Sequence, residues 1–328
     1  LAPWNHILVT ESVRRATEPL FVFTPLGERE IRGKAEPVPL ARLVGPNHRD
    51  RDDSPLSRLL NHPSPVGRVP ELTALNDARE RACLGEPQLV QIVGQAGLGK
   101  SCLVGQLAAR WLADGGRVFA VESGFVKCEG DERLEARQRC PYELWRSLVH
   151  SVFDVQVAES RAQQRRRIRS GSAALALSLD NAANLEALAL TDASDVRGLA
   201  ENHERLGRAV ADLLVTASAR QPTMLLLEDL DRADDASCAL LEDVLCDSRI
   251  AHSRHSELLV CVTGRPTDQP DLWVRMRPGE SQGAADQEGT LSFQATRIIL
   301  EPLSEKDGHT LAEQLFQEAG LDRGLLQD

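Results

Sequence analysis

The sequence predicts an α/β protein, a three-layer αβα arrangement around a parallel sheet, preceded by a short β-rich piece. Three observations predict it. A glycine-rich octet, Gly94-Gln-Ala-Gly-Leu-Gly-Lys-Ser101, lies between an apolar run of strand length and a stretch with helical spacing. Short apolar runs then alternate with amphipathic stretches along the chain, the pattern of parallel strands joined by crossover helices. One such run, Met224-Leu-Leu-Leu-Glu-Asp229, ends in adjacent carboxylates. In open α/β sheets the carboxyl ends of the strands are where ligands bind.

The elements follow in order. Residues 1–46 read as a small separate unit. His6-Ile-Leu-Val-Thr10 and Phe21-Val-Phe23 are expected strands, and Gly27 and Gly33 mark turns around Ile31. Residues 37–44 carry two prolines, which are awkward in a central strand, so an edge strand is expected there. Residues 47–64 are charged and proline-punctuated, a linker. A helix is expected over 71–84, with apolar residues at 72, 75, 78 and 82. The strand 88–93 and the helix from Lys100 flank the octet. Strand 117–121 follows, then a helix over 142–153 that turns Leu144, Trp145, Leu148, Val149 and Phe153 inward. Residues 158–200 carry a basic run (Arg161, Arg165, Arg166, Arg167, Arg169) and then an alanine- and leucine-rich segment. They are left without a fixed assignment, the charges being read as a solvated helical face. A helix over 206–219, strands at 223–227, 258–263 and 298–300, and a helix over 305–319 complete the pattern.

Composition limits the function. The chain has 328 residues, 42% of them hydrophobic, enough for a large core. Its net charge of −11 argues against a broad contact with nucleic acid or an anionic membrane surface. The apolar runs are too short to span a bilayer, and no secretory signal opens the chain. Leu1 in place of Met and the abrupt end read as a fragment of a longer protein. Seven cysteines, at 83, 102, 128, 140, 238, 246 and 261, form no C-x-x-C pair and no zinc spacing. They read as free thiols in a reducing cytoplasm, with Cys102 a packing residue.

The octet satisfies G-x-x-x-x-G-K-[ST], a phosphate-binding loop in its required strand–helix setting. The candidate binding residues are Gly94, Gln95, Ala96, Gly97, Leu98, Gly99, Lys100, Ser101 and the following Cys102. The glycines let backbone N–H groups approach phosphate oxygens, and the helix start adds its positive dipole end. Lys100 would reach the β- and γ-phosphates, and Ser101 would offer a hydroxyl to Mg²⁺. Hydrolysis further needs an acid and a positioned water. Glu228 and Asp229 each fit either role; we assign Glu228 to the metal, with Ser101, and Asp229, also near the metal, to the water. Thr263 and Arg265, at the tip of the next strand, are candidates for touching the γ-phosphate.

Three stretches together resemble a known family. Pro65-Val-Gly-Arg68 with Glu71-Leu72, the octet, and Leu227-Glu-Asp-Leu-Asp-Arg-Ala-Asp234 are similar to the AAA-like, STAND-type signal-transduction ATPases, a group of P-loop NTPases. Thr263-Gly-Arg-Pro266 resembles that family's T-x-R-P, and Leu300-Glu-Pro-Leu303 its L-x-P-L. The resemblance covers about residues 62–320 and implies ATP as ligand, with Val66 and Arg68 near the adenine. Two departures stand out. Val69-Pro70 follows the Val-Gly-Arg element where the family has Glu, and Asp231-Arg232 replace its His-Trp. The domain is drawn as 65–320, with 321–328 the start of a helical lid.

The first unit has a separate likeness. Ile7-Leu-Val-Thr-Glu-Ser12, Phe23-Thr-Pro-Leu-Gly27 and Ile31-Arg-Gly-Lys-Ala-Glu-Pro-Val38 resemble the last strands of a class III adenylate/guanylate cyclase domain, without that enzyme's metal-binding aspartates. The expected function is an ATP- and Mg²⁺-dependent regulatory switch, partnered by an upstream cyclase and downstream helical repeats. Neither membrane nor nucleic acid is an expected partner, and oligomerisation stays open. The alternatives are a nucleotide-gated scaffold that does not hydrolyse and an initiator-type nucleic-acid ATPase.

Overall fold

A computed structural model describes residues 7–10, 13–14, 21–29, 38–46, 54–123, 141–156, 159–191, 196–252, 256–266 and 293–318. The chain divides into two compact units, Leu1–Ser57 and Arg58–Asp328.

The first unit holds an antiparallel sheet of β1 (Leu8–Thr10), β2 (Phe21–Arg29) and β3 (Val38–Pro46), in the order β1-β3-β2. The expected edge strand is therefore the central one. β1 pairs only with residues 40–42 of β3. Pro39 and Pro46 lie outside that doubly paired stretch, so their missing N–H groups interrupt no second ladder. Gly27, expected in a turn, sits inside β2 with φ 75° at a register shift beside Pro25. It makes a bulge, which glycine accommodates. Gly33 and Ile31 lie outside the described residues.

α1 (Pro55–Leu60) forms within the stretch read as linker and spans the division between the units. It buries Leu59, whose carbonyl packs so closely on Gly105 that a side chain there would overlap it. Next come α2 (Val69–Cys83), β4 (Gln88–Val93), α3 (Lys100–Ala113) and β5 (Arg117–Glu122). The unassigned region and its neighbours become α4 (Glu143–Val152), α5 (Arg161–Ala174), α6 (Leu179–Leu190), the short α7 (Val196–Ala200) and α8 (His203–Ser218). Caps explain where two of these start. The Ser160 hydroxyl accepts from the Gln163 N–H while the Gln163 side chain accepts from the Ser160 N–H, and Ser178 caps α6 through the Asn181 N–H. β6 (Thr223–Glu228), α9 (Asp235–Leu245), α10 (Ser248–His252), β7 (Leu258–Gly264), β8 (Gln294–Ile299) and α11 (Glu305–Glu318) complete the unit. The expected lid at 321–328 lies outside the described residues.

Five strands form one parallel sheet in the order β5-β6-β7-β4-β8. β4 is buried throughout; β6 and β7 are buried up to their last residue. Their middles are mostly apolar (Leu89-Val90 and Ile92-Val93, Met224–Leu227, Leu258–Val262), as strands covered on both faces require. β8 is longer than its apolar tip at 298–300 suggested. Its early residues Gln294, Thr296 and Arg297 are polar because it is an edge strand, paired with β4 alone. Trp111 and Trp145 are fully buried, and their indole N–H groups donate to the carbonyls of Pro222 (3.3 Å) and Ser237 (2.9 Å). No helix among the described residues is long and apolar enough to cross a membrane.

Candidate nucleotide site

The sheet order sets the site. The loop strand β4 and the acid strand β6 are not neighbours; β7 lies between them. The three carboxyl ends lie side by side, and the octet leaves the sheet next to the tip of β7. The Gly94 N–H donates to the Gly264 carbonyl at 3.2 Å.

Within the octet, Gly97 and Gly99 hold φ of +83° and +89°, and a side chain at either would meet open space. The loop thus needs glycine for its backbone twist rather than for lack of room. α3 starts at Lys100, so its first N–H groups face the same space. The Lys100 ammonium donates to the carbonyls of Gly94 at 2.8 Å and Gln95 at 3.1 Å. An ammonium has three N–H groups, and the third has no partner among the described residues. Partial burial pushes the Lys100 pKa below its ordinary value; Asp229 and Asp231 pull it back up, and Arg265 pushes it down.

On β6, Glu228 Oε1 accepts from the Ser101 hydroxyl at 3.1 Å. The structure thereby joins the last residue of the octet to the first acid. Burial raises the Glu228 pKa from its ordinary 4.5 to about 6. The Ser101 hydrogen bond opposes that rise, Glu122 and Asp229 add to it, and Arg58 lowers it. Arg58 also bonds Glu122 at 2.7 Å, at the tip of the neighbouring β5. Asp229 leaves the strand in a left-handed backbone conformation, φ 51° and ψ 46°, and its N–H donates to Thr263 Oγ1 at 3.2 Å. The two acids, adjacent in sequence, have different partners: Glu228 meets Ser101, and the Asp229 carboxylate lies 3.6 Å from the Arg232 guanidinium.

Residues 64–260 match the family model described as the AAA ATPase domain. The chain belongs to that family. Nucleotide binding, with ATP as the nucleotide, is what an AAA ATPase domain carries. Among solved structures the chain is similar to "The walker-type atpase paby2304 of pyrococcus abyssi", at 13% identity and a TM-score of 0.34, over 80% of this chain and 63% of that one. It is also similar to "Structure of Drosophila ORC bound to AT-rich DNA and Cdc6", at 11% identity and a TM-score of 0.30, over 76% of this chain and 66% of that one. The chain therefore spans less than two thirds of either. Comparison with curated proteins finds no match.

The other candidates of this AAA domain are distributed unevenly. Arg68 is buried, and its guanidinium is held by three acceptors: Glu71 Oε1 (3.0 Å), the Leu98 carbonyl (3.2 Å) and the Glu301 carbonyl (2.7 Å). It ties the octet to the chain leaving β8. Val66 precedes it, half-buried. Arg265 is exposed, and its backbone N–H donates to Asp231 Oδ1 at 3.0 Å. The Cys102 thiol is partly buried, which raises its pKa and favours the inert thiol. The five cysteines among the described residues form no disulfide, and Cys128 and Cys140 lie outside them.

Asp231, which the sequence marks only as a departure from the resembled pattern, also lies at this edge. The available signal was its place two residues after the paired acids, in a position where the resembled pattern has His. The basic run forms α5, and its charges are largely matched: Arg165 and Arg169 share Glu186 (2.5 and 2.6 Å), and Arg167 meets Glu159 (2.7 Å) and Asp154 (3.1 Å).

The donor set fits a magnesium–triphosphate pair. Among the described residues no group of three or more His, Cys, Asp or Glu could hold a metal by itself. A metal here would depend on a hydroxyl, one or two carboxylates and the phosphates themselves, the way Mg²⁺ is commonly held.

Proposed function

We propose that this chain is an ATP-binding and ATP-hydrolysing regulatory module, working in the cytoplasm. One observation carries the reading: the Ser101 hydroxyl on Glu228 at 3.1 Å, which joins the phosphate loop to the acid strand across the intervening β7. In this reading the octet Gly94–Ser101, with Cys102, cradles the phosphates. Lys100 turns its unshared N–H to the β- and γ-phosphates. Ser101 and Glu228 hold Mg²⁺, with Asp229 nearby; bound there, the ion would neutralise charge developing on the phosphates. Asp229 orients the attacking water. Val66 packs near the adenine, Arg68 supports the loop from behind through Leu98, and Arg265 faces the γ-phosphate.

The STAND-type signalling role and the class III cyclase remnant at 1–46 belong to the same proposal. They rest on the sequence likenesses alone. ATP state would be passed to a cyclase upstream and to helical repeats downstream.

Steady-state phosphate release tests the reading, comparing wild type with Glu228→Gln and Asp229→Asn. The expected result is Mg²⁺-dependent release in wild type and a loss of about a hundredfold in each variant, as when a group that stabilises the transition state is removed. Equal trace release from all three proteins, with ATP affinity intact, would instead establish a nucleotide-gated scaffold.

A further inference from the structure

β6 and β7 leave the sheet side by side, and their loops hold one another by two crossed hydrogen bonds. The Asp229 N–H donates to Thr263 Oγ1 at 3.2 Å, and the Arg265 N–H donates to Asp231 Oδ1 at 3.0 Å. Each loop supplies one side-chain acceptor and one backbone donor. Thr263 is only 1% exposed, so its side chain has little freedom. Asp231 also covers Gly264, where an added Cβ would lie 3.4 Å from Asp231 Oδ1. The Gly264 carbonyl in turn accepts from Gly94, the first residue of the octet, at 3.2 Å.

These contacts form one continuous path: Asp231 to the Gly264–Arg265 tip, and from that tip to Gly94. A second path returns from Thr263 to Asp229. Asp229 adopts the left-handed backbone region, which aspartate enters more readily than most residues other than glycine. Removing the Asp231 bond would leave the β7 tip tied to the acid turn by the Thr263 bond alone.

We infer that Asp231 is a positioning residue of the nucleotide site. Its carboxylate holds the β7 tip, and with it Arg265 and Gly94, in register with Asp229. The inference rests on the ATPase reading above. In this role Asp231 does not touch the reacting atoms. It acts by keeping the proposed water-orienting acid and the phosphate loop at fixed separation, where small misplacements reduce rate strongly. Asp231 also lies in the electrostatic surroundings of Lys100, so a role through charge alone is the competing account.

Two substitutions separate these accounts. Asp231→Ala removes the acceptor; Asp231→Asn keeps an Oδ1 acceptor and removes the charge. For Asp231→Ala the expected kcat for phosphate release falls about tenfold, by loss of alignment. KM for ATP changes by less than about twofold, because the lost interaction matters mainly in the transition state. Asp231→Asn retains most of the rate. Backbone hydrogen exchange of a peptide spanning 263–266 rises in Asp231→Ala and stays near wild type in Asp231→Asn. Wild-type kcat in Asp231→Ala overturns the inference. So does an Asn variant as slow as the Ala variant, which would assign the effect to charge. The exchange comparison needs no turnover. A wild-type chain that releases no phosphate would defeat the ATPase reading, whereas unchanged exchange in Asp231→Ala would defeat the clasp alone.

Discussion

Two charged regions of this chain differ in what surrounds them. At the carboxyl edge of the sheet, Lys100, Glu228, Asp229 and Asp231 sit half-buried on backbone fixed by a glycine loop and a left-handed turn. On α5, five arginines fall within residues 161–169, and the side chains of Arg165, Arg167 and Arg169 are 53%, 41% and 67% exposed. Water screens the second group, so each ion pair there contributes little. The first group is partly desolvated, and two of its members shift: Lys100 down and Glu228 up to about 6. Both stretches are dense in charge, five of residues 161–169 and six of residues 228–235, yet of these two groups only the sheet edge shows shifted pKa values, at Lys100 and Glu228. Burial, not abundance, separates them.

The largest expected effect tests that contrast directly. Lys100→Ala should weaken ATP binding at least about tenfold, since a phosphate would lose a charged partner. The double variant Arg165→Ala/Arg169→Ala should leave affinity within about twofold, as for screened surface charges. Calorimetric titration measures both. Near-normal ATP affinity in Lys100→Ala would break the comparison, and so would a large loss in the arginine variant.

A comparable effect is expected from acidification. With Glu228 titrating near 6, its carboxylate is mostly charged at pH 7 and mostly protonated at pH 5. Since kcat/KM reports groups in the free enzyme, it should fall about tenfold per pH unit below that value. A profile that stays flat to pH 5 would show that the Glu228 charge is not used.

Stability should respond more modestly, and with the opposite preference. The folded pKa of Glu228 lies above its unfolded value, so between 4.5 and about 6 the folded chain binds the extra proton. Its contribution to stability is greatest below that window and is lost as the pH rises through it. Glu228→Gln keeps an acceptor for Ser101 and removes the buried charge. At pH 7.5 it should melt about 2 °C higher, corresponding to about 1 kcal/mol after discounting for partial exposure. Below pH 4.5 the two proteins should converge. A lower Tm for the variant at pH 7.5 would contradict the raised pKa.

The smallest effect belongs to α5. Arg169→Ala should change stability by less than about 0.5 kcal/mol by denaturant titration, since its Glu186 partner is shared with Arg165. A larger loss would mean that this face is part of the packed structure.

Much of this could be read from residue types alone. The octet specifies its own shape, because a loop with φ of +83° and +89° requires glycine at 97 and 99. The runs at 88–93, 223–228 and 258–264 are apolar enough that only strands covered on both faces could bury them. The paired acids at 228 and 229 mark the end of one such strand. Less legible were positions that depend on strand order. β3 became a central strand because β1 is too short to reach its prolines. α1 formed inside the expected linker because Leu59 found a place against Gly105. Residues 158–200 yielded no assignment because their helices are fixed by packing among α4, α6 and α8.

Sequence by itself determined the chemistry available to this protein: which backbone can cradle an anion, which ammonium and hydroxyl stand beside it, and which strand ends in carboxylates. These are local properties, set by glycine freedom and by continuous apolar runs. Only the tertiary structure decided which of those groups meet. Inserting β7 between β4 and β6 brought Ser101 to Glu228, Thr263 to Asp229 and Asp231 to the Arg265 backbone. Strand order is a contest among long-range packings that no short stretch of sequence encodes.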